Sequence, residues 1–549
     1  MKKIIALALN LIFCSLTFAQ DMPGMKMPKK ENKKTSVKTT SSGEHIIYTC
    51  VMHPQIKVSK PGNCPICGMK LVKKVVKSVP SKNAEMKMEG DMKMDKTDTM
   101  KMNDDMSKMK MGNTANTMKM NDMGKMKMDK GDTMKMLMGG GNEPMDMGSM
   151  SDPFSLHLPM ERHGSGTAWL PDASPMHGYM HHTSNWMFML HGNIFLRYTK
   201  QDIDNKGSRG GIKYDAPNWL MFMGQSKVGG KGLFHFSTMF SLDPVTEGGQ
   251  GYPLLFQSGE AYNGRPIVDR QHPHDLFSEL SVSYSHAFSK EADAFIYVGY
   301  PGEPALGPVA FMHRPAALYN PDAPISHHWS DATHITFGVA TFGVRFGEFK
   351  IEGSSFTGRE PDDKRFNFDK PKFDSWSGRL SFNPSANWAL QVSHGFIKSP
   401  EALHPDEDVN RTTASAIYSM SLKNKGWINV SGVYGVNKSK DHKAENSFLL
   451  EASWNKKRLA FYSRYEFVQK SVEELALDEN IYGHDVVFPV NAFTLGVNYD
   501  VIQLANTRLS LGTQFTYNHA DEKLNSLYGK NPMAFEVYLR IYPALMQMK

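Results

Sequence analysis

From Trp186 to the C-terminus, apolar and polar residues alternate with a period of two. Trp186, Phe188, Leu190, Ile194, Leu196 and Tyr198 alternate with Met187, Met189, His191, Asn193 and Arg197. Phe234, Phe236, Thr238, Phe240 and Leu242 alternate with His235, Ser237, Met239 and Ser241. The same period recurs in Leu280-Val282-Tyr284, Trp388-Leu390-Val392, Phe493-Leu495-Val497-Tyr499 and Phe535-Val537-Leu539-Ile541. Successive side chains of a strand point to opposite faces. Segments of about ten residues with one apolar and one polar face therefore predict the strands of a membrane β-barrel.

Connector lengths are an independent test. Those at residues 229–232, 289–293, 384–387, 423–426 and 455–458 read as tight turns, whereas 199–217, 243–277, 301–333 and 469–489 are long. Short and long alternate down the chain, as in barrels with short periplasmic turns and longer outer loops. The expected fold is all-β: an antiparallel transmembrane β-barrel of about 16 strands, with both ends of the sheet on the periplasmic side. A soluble β-sandwich or propeller would also alternate, but it has no need of long loops at one end only.

The segments before the barrel differ in composition. Residues 1–19 read as a signal peptide, with Lys2-Lys3, an apolar run over 4–13 and Thr17-Phe18-Ala19 before Gln20. A lipoprotein reading through Cys14 is disfavoured by the bulk of Phe13. No later stretch is apolar for long enough to make a transmembrane helix. Residues 20–45 form a polar linker, 46–75 a metal-binding mini-domain, 76–185 a methionine-rich low-complexity tract with a Met/His-rich lead-in, and 186–549 the barrel. The formal net charge of +7 comes with lysines interleaved among aspartates in the tract. With no basic stripe on a helix, nucleic acid is excluded as a partner.

Cysteine usage points to a metal. Once Cys14 leaves with the signal, Cys50, Cys64 and Cys67 remain, an odd number for a disulfide framework. Cys64-Pro65-Ile66-Cys67 is a knuckle-like turn, and Cys50 and His53 could complete a tetrahedral Cys3His set. So small a unit cannot bury enough surface to fold alone, so metal would be its core. Tyr48, Cys50, Met52, His53, Pro54, Gly62, Cys64, Pro65, Cys67, Gly68, Met69 and Leu71 form a run that resembles the heavy-metal-binding domain of periplasmic copper and silver efflux adaptor proteins. Val51 departs from that family's usual proline. The resemblance implies metal binding by Cys50, His53, Cys64 and Cys67, assisted by Met52 and Met69. The alternative is a purely structural zinc site.

In the tract, 20 of the chain's 39 methionines fall between Met86 and Met150, many as Met-Lys-Met triplets. Their neighbours are Lys, Asp, Asn, Thr and Gly, so the segment has almost nothing to bury and is expected to be disordered. A thioether is a soft, uncharged ligand that selects Cu(I), and by the same logic Ag(I). A neutral spacer has no reason to prefer Met over Ser or Gln, so the tract reads as many weak sites acting by effective concentration.

Further candidates lie near and in the barrel. Met176, His177, Met180, His181 and His182, just before the first strand, read as a metal site at the periplasmic mouth. If the apolar faces meet lipid, Met187, Met189, His191, His235 and Met239 line the lumen, joined by Met221 and Met223. They could relay a soft cation or merely fill space, since Met is an adaptable filler. Asp269, His272, His274 and Asp275, then Met312 and His313, then His327, His328, Asp331 and His334, lie in long connectors. These lie outside or fold inward as a constriction, and they could ligate metal or simply hydrogen-bond within ordered loops. No nucleophile elbow, phosphate loop or His-Glu-x-x-His accompanies them, so no catalytic residue is assigned.

The whole design also resembles outer-membrane copper-resistance proteins, in architecture and composition rather than by a local motif. The expectation is a non-enzymatic outer-membrane protein whose periplasmic arm binds Cu(I) or Ag(I), with zinc as the alternative at the Cys/His site. It would confer resistance by sequestration or efflux, with membrane lipid and periplasmic efflux or chaperone components as partners. The competing readings are a metal-dependent enzyme built on the loop histidines, and a channel for another solute with the arm acting only as a metal sink.

Overall fold

A computed structural model describes residues 44–49, 57–58, 62, 70, 72–77, 151–423, 426–440 and 442–546. The signal segment, the linker up to residue 43 and the methionine repeats lie outside the described residues. In the mini-domain, strands Glu44–Thr49, Lys57–Val58 and Val72–Lys77 form an antiparallel sheet with the first strand central. Its registers pair Tyr48 with Val58 and Thr49 with Val72.

The rest is a closed antiparallel barrel of 16 strands. In chain order these are β1 (Met187–Gln201), β2 (Asn218–Val228), β3 (Gly232–Phe240), β4 (Phe277–Ala287), β5 (Ala292–Gly299), β6 (Val339–Phe346), β7 (Phe349–Phe356) and β8 (Ser375–Ser385). They continue as β9 (Trp388–Ile397), β10 (Val409–Leu422), β11 (Gly426–Ser439), β12 (Glu445–Lys456), β13 (Leu459–Ser471), β14 (Val487–Gln503), β15 (Thr507–Ala520) and β16 (Met533–Pro543). Strand β16 closes on β1, with Ile541 opposite Ile194 and Ala534 opposite Gln201. Two short pieces complete the edges of β1: Tyr179–His182 pairs its first turn-side residues, and Gly211–Asp215 pairs its far end. Every predicted tight turn lies at one end of the barrel and every predicted long connector at the other.

The alternation read from sequence orients the wall. Ile194, Leu196, Phe222, Val282, Val392 and Leu495 face outward and are exposed, as a lipid-facing surface requires. Arg197, His235, Arg379, Glu451, Arg464 and Glu536 face inward and are buried. Among the described residues, no helix is long and apolar enough to cross a membrane; the crossing elements are strands.

Two segments fill the lumen. The first, residues 151–178, precedes the sequence-derived barrel boundary at 186 yet folds inside the barrel at its short-turn end. Ser155 Oγ donates to Asp293 Oδ2 at 2.7 Å, Asn383 Nδ2 to the Leu170 carbonyl at 2.9 Å and Trp427 Nε1 to the Ala173 carbonyl at 3.1 Å. The second is the long β5–β6 connector, whose residues 301–338 are almost all buried. It enters from the opposite end, with the Ala305 and Gly307 amides donating to Ser354 and Ser393 at 2.7 and 2.8 Å. Arg379, on the wall, donates to Thr167 of the first segment at 2.8 Å and to the Gly307 carbonyl of the second at 3.0 Å.

The two segments also meet each other. The Ala310 amide donates to Ser165 Oγ at 2.8 Å. Gly166 has φ +49° and packs so closely on Glu303 that a Cβ there would stand 2.6 Å from the Glu303 Cβ. A left-handed backbone at such close approach is open to glycine and to few other residues.

The buried charges of these segments set the chain's response to pH and substitution. Burial pushes the Glu303 carboxyl up to about 8 from its ordinary 4.5, against the opposing charge of Arg379. The folded chain thus holds a proton that the unfolded chain releases above pH 4.5. Glu303's contribution to stability is complete below that pH and is lost as pH rises through about 8. Glu303→Gln should therefore raise the unfolding temperature in detergent at pH 8.5 and leave it unchanged at pH 4.5. Arg314 of the inserted connector is fully buried and donates to Glu451 on β12 and to Asp331, each at 2.7 Å. Arg314→Ala leaves Glu451 with Arg464 and Asp331 with His327 but removes the buried cation the two carboxylates share, and should destabilise the barrel by about 3 kcal/mol. Removing Lys398 from its half-exposed pair with Asp408 should shift stability by less than about 1 kcal/mol. Thermal unfolding in detergent measures both.

Candidate metal centres in the barrel lumen

Strands β1, β2 and β3 place a run of thioethers on the inner wall. The registers set Met189 opposite Met223 and His191 opposite Met221 across β1 and β2, and Met221 opposite Met239 across β2 and β3. Residues paired across a ladder share a face, so these side chains meet inside, and Met189, Met221, Met223 and Met239 are buried. Met180 and Met187 extend the group along the wall. Met160 and Met176 of the first lumenal segment, Met312 of the inserted connector and Met546 at the C-terminal end pack onto it. Ten of the thirteen methionines beyond Met150 thus form one cluster.

Imidazoles border this cluster. The His163 and His235 rings lie 6.0 Å apart, and those of His191 and His313 5.8 Å apart. Both ring nitrogens of His163, and Nε2 of His191 and His235, are buried without a hydrogen-bond partner. Burial lowers His163 far below its ordinary value and His313 to about 3, so both rings stay neutral, the form that ligates metal.

A second centre sits higher in the lumen, towards the long loops. Residues 269–275 bring in His272 and His274, and the β5–β6 connector brings in His327, His328 and His334. One nitrogen from each of His272, His327 and His328 lies within 4.8 Å of the other two. The His274 and His334 rings are 5.6 Å apart, and those of His327 and His334 5.1 Å apart.

Every ring in this centre is anchored through Nδ1. His274 meets Asp243 Oδ2 at 2.7 Å, His327 meets Asp331 Oδ1 at 2.7 Å and His334 meets the Asp331 carbonyl at 2.8 Å. His272 faces Glu260 at 3.1 Å and the Pro273 carbonyl at 3.4 Å, and His328 faces Glu360 at 3.4 Å. Carbonyls and ionised carboxylates only accept, so in a neutral ring the proton sits on Nδ1 and Nε2 keeps its lone pair. Nε2 of His272, His274, His328 and His334 is buried with no partner. Each such orphan costs on the order of 1–3 kcal/mol unless a further partner satisfies it.

The electrostatics divide the rings. Burial, reinforced by Arg365, holds His272 far below its ordinary value, and burial does the same for His334. Burial lowers His327 against the pull of Asp331, whose carboxylate Arg314 keeps ionised. For His328, burial is outweighed by Glu360, Glu260 and Glu474, and the ring is raised. Further out, His404 Nδ1 lies 2.6 Å from Glu473 and His442 Nε2 lies 3.4 Å from Glu407, at a cavity that Glu260 also lines.

One helical turn, Phe311–His313, joins the two centres. The Phe311 ring lies 5.4 Å from His327 and 6.1 Å from His334, Met312 belongs to the thioether cluster, and His313 abuts His191.

Of the residues singled out from sequence, Cys50, Met52, His53, Cys64, Cys67 and Met69 lie outside the described residues. The five at the presumed mouth do not converge. Met176 and Met180 turn into the thioether cluster, while His177 bonds the Pro543 carbonyl through Nδ1 at 3.2 Å. His181 and His182 are exposed, and His181 stacks on Phe188 outside the wall. Met160, His163, Met546, Glu260 and Glu360 belong to the centres but carry no local signal, being contributed singly by distant segments.

Residues 47–74 match the heavy metal binding domain family. In that part of the chain, 38 residues are 50% identical to the copper-exporting P-type ATPase of Legionella pneumophila, a match covering 7% of this chain and 5% of that protein. In three dimensions the protein is similar to OmpF of Salmonella typhi, solved in complex with daunomycin, at 10% identity and TM-score 0.43 over 66% of this chain and all of that one. It is similar to the loop L8 deletion mutant of OmpT of Vibrio cholerae at 8% identity and TM-score 0.38, over 65% of this chain and all of that one. It is also similar to the anion-selective porin from Comamonas acidovorans at 13% identity and TM-score 0.37, over 66% of this chain and all of that one. The chain joins a segment at residues 47–74 that matches the heavy metal binding domain family to a closed antiparallel β-barrel.

Proposed function

We propose that this is an outer-membrane protein that binds soft heavy-metal ions, Cu(I) and Ag(I), and contributes to metal resistance by sequestration or efflux. The arm, with its Cys/His domain and methionine tract, works on the periplasmic side, and the lumenal thioethers receive the same ions. The observation that carries this reading is the thioether cluster on β1, β2 and β3. A simple space-filler would favour Leu or Ile, whose rotamers specify a packed interior better than Met does. Here methionine is concentrated on three adjacent strands and on the segments that touch them, with neutral imidazoles alongside.

Thioether and neutral imidazole suit a soft monovalent cation and ask for no covalent chemistry, so the reading is binding or transport, not catalysis. The two segments folded into the lumen disfavour a wide channel for an unrelated solute. Partners would be membrane lipid and periplasmic efflux or chaperone components able to exchange such ions with the arm.

The test is Ag(I) and Cu(I) binding to the full-length protein in detergent, by competition with chelators under reducing conditions. The expected result is that Met189→Leu, Met221→Leu and Met223→Leu together remove lumenal equivalents, while Met→Ser across residues 86–150 independently removes several more. Deleting residues 20–150 should lower the metal tolerance of cells. Soft-metal uptake that neither set of changes alters would overturn the reading, and tolerance indifferent to the deletion would return the barrel to the unrelated-channel alternative.

A further inference from the structure

We infer that the barrel contains a second metal site of different chemistry: a divalent transition-metal centre, preferring Cu(II) over Zn(II), ligated by His272, His327 and His328. The inference stands on geometry in the long-loop half of the lumen and does not depend on the soft-metal reading of the arm or the thioethers.

The three rings converge without touching. One nitrogen of each lies within 4.8 Å of the other two, and the ring centres are 5.2–6.3 Å apart. Metal–nitrogen bonds of about 2.0–2.1 Å ask these atoms to draw together by roughly an ångström, within reach of side-chain rotation. Each ring already has the outer support that metal-bound histidines require: an oxygen acceptor on Nδ1, from Glu260 and the Pro273 carbonyl, Asp331 or Glu360. With Nδ1 engaged, Nε2 is the free donor, and in His272 and His328 it is buried and unpartnered.

Charge favours a dication. Glu260, Glu360 and Asp331 stand behind the rings; Arg365 and Arg314 share Glu260 and Asp331, and Arg411 bonds the His328 carbonyl, while Glu360 has no arginine ion pair among the described residues. The donors are all nitrogen, with carboxylates in support and no thioether among the three. Imidazole suits borderline divalent ions, and among these the Irving–Williams order places Cu(II) highest. His274 and His334, each with an unpartnered Nε2, lie beside this centre and against the ring of Phe311, the residue before Met312. They offer an intermediate foothold where the donors change from nitrogen to sulfur.

The test uses the full-length protein in detergent with the arm's cysteines replaced (Cys50→Ser, Cys64→Ser, Cys67→Ser), titrated with Cu(II) alone and read by electron paramagnetic resonance. The expected result is a nitrogen-coordinated Cu(II) equivalent that disappears in the His272→Gln, His327→Gln, His328→Gln variant, with Ag(I) binding by the thioethers retained. Glu260→Gln or Glu360→Gln should weaken that equivalent about 10–100-fold, the effect expected of an outer-shell partner. Unchanged Cu(II) stoichiometry and spectrum in the triple variant would overturn the inference. If that variant does not fold, as judged by its heat-dependent gel mobility, wild-type crystals soaked in Cu(II) decide. An anomalous peak among the three rings supports the site, and no peak there overturns it. Loss of Cu(II) alone and loss of Ag(I) alone report on different centres, so either reading can fail without the other.

Discussion

Closure of the sheet is the constraint on which the rest of this structure depends. A strand edge in a bilayer would expose backbone groups with no water to satisfy them, so a spanning sheet must return to its own first strand. Here β16 closes on β1; Tyr179–His182 continues that edge of β1 beyond β16, and Gly211–Asp215 continues the opposite edge beyond β2. Once the sheet is closed, every second side chain has to face inward. The interior then holds a large complement of Arg, Glu, Asp, Ser and His that must find partners there.

The two lumenal segments meet that demand. Residues 151–178 and the β5–β6 connector supply carbonyls, hydroxyls and countercharges that add to the wall's own ion pairs, such as Arg379 with Glu352 and Arg464 with Glu451. Arg379 binds both segments, Arg314 links the connector to Glu451, and Arg197 joins Asp215 on the wall to Asp322 of the connector. Buried ion pairs contribute little net stability against well-packed apolar residues, but losing one partner is severe. Such a network holds the inserted segments in one arrangement, and the histidines they carry are positioned as a consequence.

Against this background the two candidate centres are exceptions to the interior chemistry. The lower one replaces charge with thioether sulfur, and the upper one leaves imidazole nitrogens unpartnered beside a wall rich in donors and acceptors. They share one turn, Phe311–His313, so the change from nitrogen to sulfur donors takes place across a single short element. A cation moving along the lumen would exchange one ligand class for the other there.

Much of the wall was legible in the sequence, because strand periodicity is local: alternation at Trp186–Tyr198 or Phe493–Tyr499 assigns each residue a face without knowledge of its neighbours. The lumenal orientation of Met189, His191, Met221, Met223, His235 and Met239 followed from that rule alone. The pattern failed at residues 151–178, which carry no alternation and read as lead-in, yet bury Phe154, Met160, His163 and Trp169 inside the barrel. It also overrated the sequence cluster from Met176 to His182. Adjacent residues there fall on opposite faces of a short strand, so closeness along the chain does not bring their ligand atoms together. The sequence by itself determined the barrel, its facing and the chemical character of its inner wall, since these depend on residue type and a period of two. Only the tertiary structure decided which distant side chains share a centre, because strand register and the inward folding of two long segments depend on contacts between residues far apart in the chain.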